Sequence, residues 1–128
     1  MAERKQCEFQ LIRYVPDPVR NEFVNIGVLL RASEGGQAGL RFTRNWERVQ
    51  GLHPDADTEM LEAIGTEMSE RLQRHQADHS ERIPGLDGSA LSNGIQVTES
   101  KVYMAESFHA GLDELMLLYV DPPGRIVN

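Results

Sequence analysis

Two prolines one residue apart, Pro16 and Pro18, stand between two runs patterned as strands, and they constrain the fold more than any other feature. Proline removes a backbone donor and drives the preceding residue towards extended geometry, so Val15 and Asp17 are held out of a helix and the first run ends here. Extended, that run (residues 7–15) sets Phe9, Leu11, Arg13 and Val15 on one face and Glu8, Gln10, Ile12 and Tyr14 on the other. The second run, residues 23–32, alternates Val24, Ile26, Val28 and Leu30 and is apolar enough for a central strand. A Gly-Gly turn within residues 33–36 then returns a third strand over 37–43, with Ala38, Leu40 and Phe42 facing one way. These runs form an antiparallel hairpin lying beside the first strand.

After Thr43 the period changes from two to that of a helix. Residues 45–49 suit a short helical turn in which Asn45 caps and Trp46 meets Val49. A long helix follows, capped by Asp55 or Asp57 and reaching about His79, with Leu61, Ile64, Met68 and Leu72 on one stripe. Residues 80–94 carry Pro84, Gly85, Gly88, Asn93 and Gly94 and read as a long loop. A short strand over 95–98, extended or flanked by Val102–Met104, leads to a last helix starting near Ser107. That helix carries Phe108, Leu112, Leu115, Met116 and Tyr119 at helical spacing and stops at Asp121-Pro-Pro-Gly, leaving residues 121–128 as a short tail. The order predicts an α+β domain: an antiparallel sheet of three to four strands with two main helices packed on one face.

A chain of 128 residues, 40% hydrophobic, is sized for a single domain over 1–128. Its apolar runs, Val28-Leu29-Leu30 among them, are far short of the roughly 20 residues that cross a bilayer. The start, M-A-E-R-K-Q, has no apolar leader, and the sole cysteine, Cys7, allows no internal disulfide, so the expected compartment is the cytoplasm. Net charge is −7 but unevenly spread: residues 1–48 hold eight basic groups against six acidic, and residues 49–128 hold five against fourteen. Duplex nucleic acid is therefore not an expected partner, while a small anion at the arginine-bearing first part is compatible with the pattern.

Local rules conflict most between Arg13 and Gly27, where Arg13, Tyr14, Asp17, Arg20, Glu22 and Asn25 surround a strand end, a proline-stiffened loop and the start of the most apolar strand. Asn25 and Gly27 sit at alternate positions there, and a glycine in a strand marks a bulge or a close backbone approach. Two readings stay open. In one, an Arg/Glu/Asp network locks the hairpin connection and Asn25 bonds loop backbone. In the other, Arg13 and Arg20 clamp an anion, Glu22 serves as an acid/base or partner-contacting carboxylate, and Asn25 orients the bound group.

The run L-I-R-Y-V-P-D-P-V-R-N-E-F-V-N-I-G-V-L-L resembles the signature of a bacterial family known as domain of unknown function 3037. The matching positions are Arg13, Tyr14, Pro16, Asp17, Arg20, Glu22, Asn25 and Gly27, then Leu115, Tyr119 and Val120 near the end; Phe9 stands where the family pattern has tyrosine. The resemblance spans most of the chain and implies no activity. What it does imply is a partner, because genes of the family often neighbour those of HipA-like kinases.

Other motifs point away from catalysis. His75 and His79 share the four-residue spacing of a metal-binding helix but lack the adjacent glutamate of metalloprotease helices, so no metal or cofactor is expected. Nucleophile-elbow, phosphate-loop and dinucleotide glycine patterns are absent from the sequence. Cys7 reads as a packed thiol and Trp46, between Arg44 and Arg48, as a helix anchor rather than a base-stacking platform. The function expected from sequence is a non-enzymatic accessory or protein-interaction module. The alternative is a small ligand-binding or enzymatic domain for a phosphate- or carboxylate-bearing compound at Arg13, Arg20, Glu22 and Asn25.

Overall fold

The structure is a computed structural model that describes residues 4–17, 19–34, 36–77 and 94–121. Its elements in order are β1 (Lys5–Asp17), β2 (Glu22–Ala32), β3 (Ala38–Phe42), α1 (Glu47–Leu52), α2 (Thr58–Ala77), β4 (Ile95–Val97), β5 (Lys101–Ala105) and α3 (Phe108–Leu115), which runs on into a π turn (Met116–Val120). All strand pairings are antiparallel, in the order β3-β2-β1-β4, with β5 also on β1. The expected α+β class is therefore the one the chain adopts. The expected loop over 80–94, apart from Gly94, and the tail beyond Asp121 lie outside the described residues.

The sheet gains a strand because β4 and β5 divide the outer edge of β1 between them. β4 pairs with Ile12–Tyr14 and β5 with Lys5–Phe9. At Thr98 the backbone N–H donates to Leu11 O, but the Leu11 N–H donates to the Thr98 hydroxyl at 2.8 Å instead of to a carbonyl, which interrupts the ladder. A threonine side chain that satisfies the backbone in this way competes with regular pairing.

Both main helices were expected on one face, and here the structure differs. Ile12, Tyr14, Val24, Ile26 and Leu29 pack with Val49 of α1 and Leu61, Met68 and Leu72 of α2. Cys7, Phe9, Leu11, Val28 and Leu30 pack with Leu112 and Leu115 of α3 and Met116 and Val120 of the π turn. β3 serves both layers: Phe42 meets Gly65 of α2, and Gly39 meets Phe108 and Leu112 of α3. The cause is a β-bulge. Ile12 pairs with Gly27 and Arg13 with Asn25, so Ile26 is an extra residue in β2 and the alternation shifts phase there. Val24 and Ile26 face α2, whereas Val28 and Leu30 face α3. A second irregularity between Tyr14 and Asp17 restores the register and accommodates Pro16, which has no N–H to contribute to a ladder.

The starts of α2 and α3 follow the sequence closely, whereas α1 starts at Glu47 behind Trp46 rather than Asn45 and runs to Leu52. Asp57 Oδ1 accepts the Met60 N–H at 3.0 Å, and Ser107 Oγ accepts the Ala110 N–H at 3.1 Å. The last stripe does not run as expected, because the π turn inserts a residue: Val120, 1% accessible, takes the core position, and Tyr119 is 38% exposed. Gly65, an unfavourable residue within a helix, lies under the Phe42 ring, and a Cβ there would sit 3.0 Å from Phe42 Cγ. Gly65→Val is expected to lower stability by about 1–3 kcal/mol. Urea unfolding should show a lower midpoint at unchanged slope, and an unchanged midpoint would mean that the Phe42 ring swings clear.

Candidate functional site

The bulge turns Arg13 and Asn25 towards the α3 layer. The Arg13 Nε donates to Asn25 Oδ1 at 3.3 Å, and its guanidinium lies over the Phe23 ring, 4.1 Å from the centroid. Asn25 Nδ2 donates in turn to Tyr119 O at 3.2 Å, tying β2 to the π turn. Tyr119 stacks on Phe9, with ring centroids 5.6 Å apart, and Tyr103 meets Phe9 edge-on. Among the described residues no carboxylate pairs with Arg13, whereas Arg20, Arg41 and Arg71 each pair with one.

The remaining candidate residues of this segment lie elsewhere. Tyr14 points to the α2 layer, where it is buried and its hydroxyl is hydrogen-bonded to His53 Nδ1 at 2.8 Å, the two rings lying nearly parallel. Asp17 shapes the hairpin tip: its Oδ1 accepts the Val19 N–H and its carbonyl accepts the Arg20 N–H. Asn21 completes the turn with a positive φ of 55°, a conformation that asparagine tolerates better than most residues. Arg20 pairs with Glu22 at 3.2 Å, both well exposed, so this bridge adds little to stability. The six residues thus divide into a pair beside the π turn (Arg13, Asn25), a tip (Asp17, Arg20, Glu22) and one buried phenol on the opposite face (Tyr14). Arg13 and Arg20 do not form one clamp, since Asp17 pairs with Glu22 four strand positions beyond Arg13.

Next to Arg13 a cleft of about 400 Å³ opens over β1 and the β4–β5 connection. Phe9 and Leu11 form its floor, Tyr119 one wall, and Gln96, Thr98, Glu99 and Lys101 the other. That wall was not legible in the sequence, because residues 80 or more positions apart meet only when β4 and β5 pair with β1. A second open cleft beside Trp46 and α2 is less free for ligands. The Trp46 indole N–H donates to Glu62 Oε1 at 2.8 Å, and the neighbouring Arg48 donates to Val120 O. His79 and the side chain of His75 are outside the described residues; among those described, no cluster of His, Cys, Asp and Glu has the makings of a metal site.

Two buried groups have shifted titrations. Burial raises the Cys7 thiol above its ordinary value, against a smaller opposing effect of Lys5, and burial raises the Tyr14 phenol. Cys7 is thereby a weak nucleophile with little thiolate.

The fold and this cleft define a small α+β domain whose sheet is covered on both faces. The chain belongs to the family described as a protein of unknown function, DUF3037, whose model matches residues 9–120. No curated protein and no solved structure matches it significantly. No helix among the described residues is long and apolar enough to cross a membrane.

The Tyr14–His53 bond should be worth about 0.5–1.5 kcal/mol, so Tyr14→Phe is expected to lower the unfolding free energy by that amount at neutral pH. A phenol whose folded pKa lies above its unfolded value near 10 contributes fully below pH 10, and the contribution disappears as pH rises through the folded value. Tyr14→Phe should therefore flatten part of the alkaline loss of stability. An alkaline limb identical to that of the unaltered protein would show that this phenol is not linked to folding.

Proposed function

We propose that this protein is a cytoplasmic, non-enzymatic interaction module that docks a protein partner at the junction of β2 and the π turn. The observation that carries this reading is the apolar surface there. Leu117, Leu118 and Tyr119 are consecutive and exposed, and Phe23 is 42% exposed two residues from Asn25, which holds the π turn by its hydrogen bond to Tyr119 O. Exposed apolar side chains are ordinary singly, but three on one short turn, with an exposed aromatic on the strand that turn is bonded to, concentrate apolar surface in the way interfaces do. Arg13, stacked on Phe23, supplies the cationic and aromatic combination favoured at interface centres.

The family's association with HipA-like kinases makes such a kinase the first partner to test. The double variant Leu117→Ser/Leu118→Ser removes apolar surface that is more than half exposed, so the fold should persist. With a purified HipA-like kinase from the same organism, the unaltered chain should co-elute, and the double variant should bind at least about tenfold more weakly. A chain that stays separate from the kinase, or a double variant that binds equally well, would overturn the reading.

A further inference from the structure

We propose that the cleft between β1, the β4–β5 connection and Tyr119 is a binding site for a small oxyanion, a carboxylate or phosphate, carried on a flat apolar body. The site shares Arg13 and Tyr119 with the proposed partner surface, but small-molecule binding there does not depend on a protein partner.

Arg13 anchors the site. An arginine side chain normally gives up considerable rotamer freedom when it grips a ligand. Here that loss has already been met within the fold, because Nε is held by Asn25 Oδ1 and the guanidinium plane rests on Phe23. Its two terminal nitrogens have no carboxylate partner among the described residues, and the side chain lines the cleft. A planar fork fixed in this way suits two parallel hydrogen bonds to one carboxylate or phosphoryl group.

The rest of the cleft specifies the body of the ligand. Phe9 and Leu11 lie along β1 on the same face as Arg13, and Tyr119 stacks on Phe9, so the space beside the fork has an aromatic and aliphatic floor. Its volume falls within the range of small-molecule sites. Lys101 pairs in register with Phe9, while Arg13 pairs with Gln96. Their backbone positions are therefore about 13 Å apart along the strands, four residues at roughly 3.3 Å each, which sets them at different ends of the cleft. Glu99 lies on the same wall and opposes any polyanion such as a nucleic-acid strand. It can instead accept a hydrogen bond from a hydroxyl or amine on the ligand body, so one oxyanion with a donor-bearing ring is the best match.

The test uses the full chain with phenyl phosphate, benzoate, inorganic phosphate and phenol as probes, read by calorimetric titration and thermal shift. Phenyl phosphate or benzoate should bind saturably, inorganic phosphate and phenol at least about tenfold more weakly, and the stronger of the first two identifies the oxyanion. Arg13→Lys keeps the charge but loses the fork and should weaken binding about tenfold, whereas Arg20→Ala should leave it unchanged. If Arg13→Lys fails to fold, Tyr119→Ala serves as the site variant, with a weaker affinity expected from loss of the ring that stacks on Phe9. No saturable binding below about 10 mM, equal affinity for inorganic phosphate, or site variants that bind like the unaltered chain would each overturn the proposal. Failure here leaves kinase co-elution unaffected, and loss of kinase binding leaves these titrations unaffected, so the two readings are separable.

Discussion

Between Ile12 and Arg13 the ladder joining β1 to β2 passes over one residue, so that Ile26 and Gly27 together oppose Ile12. Both then belong to the α2 side: Ile26 is fully buried there, and a Cβ on Gly27 would meet Ile12 and Phe42 of the same layer, with Arg41 O at 3.0 Å. Beyond the bulge, β2 presents Val28 and Leu30 to α3. One strand thus supplies both cores, and two helical layers cover a sheet whose central strands are apolar on both faces. Without the phase shift, Asn25 would share a face with Gly27 and could not reach both Arg13 and the π turn.

The α3 layer is locked to this arrangement by polar contacts at its end. The Thr43 hydroxyl donates to Asp121, Arg48 donates to Val120 O, and Asn25 donates to Tyr119 O. Three separate elements therefore satisfy or brace the last turn, whose carbonyls would otherwise lack intrahelical partners. The π turn that they hold exchanges Tyr119 for Val120 in the core. An aromatic ring is thereby placed against Phe9 at the mouth of the cleft.

The uneven charge of the chain finds a physical use in the same region. Arg41 of β3 pairs with Asp113 of α3, and Arg48 is taken up by a backbone carbonyl, so part of the basic first portion neutralises or caps the acidic second portion. Arg13 differs in having an amide and an aromatic ring as partners, which orient its charge without cancelling it. In a chain of net charge −7, a cation left uncompensated at a cleft is a local reversal of sign.

The sequence by itself determined the elements. Alternation marked β1, β2 and β3, although β1 runs on through Pro16 to Asp17 rather than ending at Val15, and Asp57 and Ser107 marked helix starts, because each of these rests on contacts within a few residues. It also singled out Arg13, Asn25 and Gly27 as residues at odds with their surroundings. Only the tertiary structure decided which faces they occupy. A bulge reverses every side chain beyond it while leaving the apolar pattern of the strand unchanged, and a π turn shifts a helical stripe by one residue with no mark in composition. The far wall of the cleft, Gln96 to Lys101, depended on pairing across more than 80 residues. Such contacts arise from the packing of whole elements, so the site became visible only when the strands were in register.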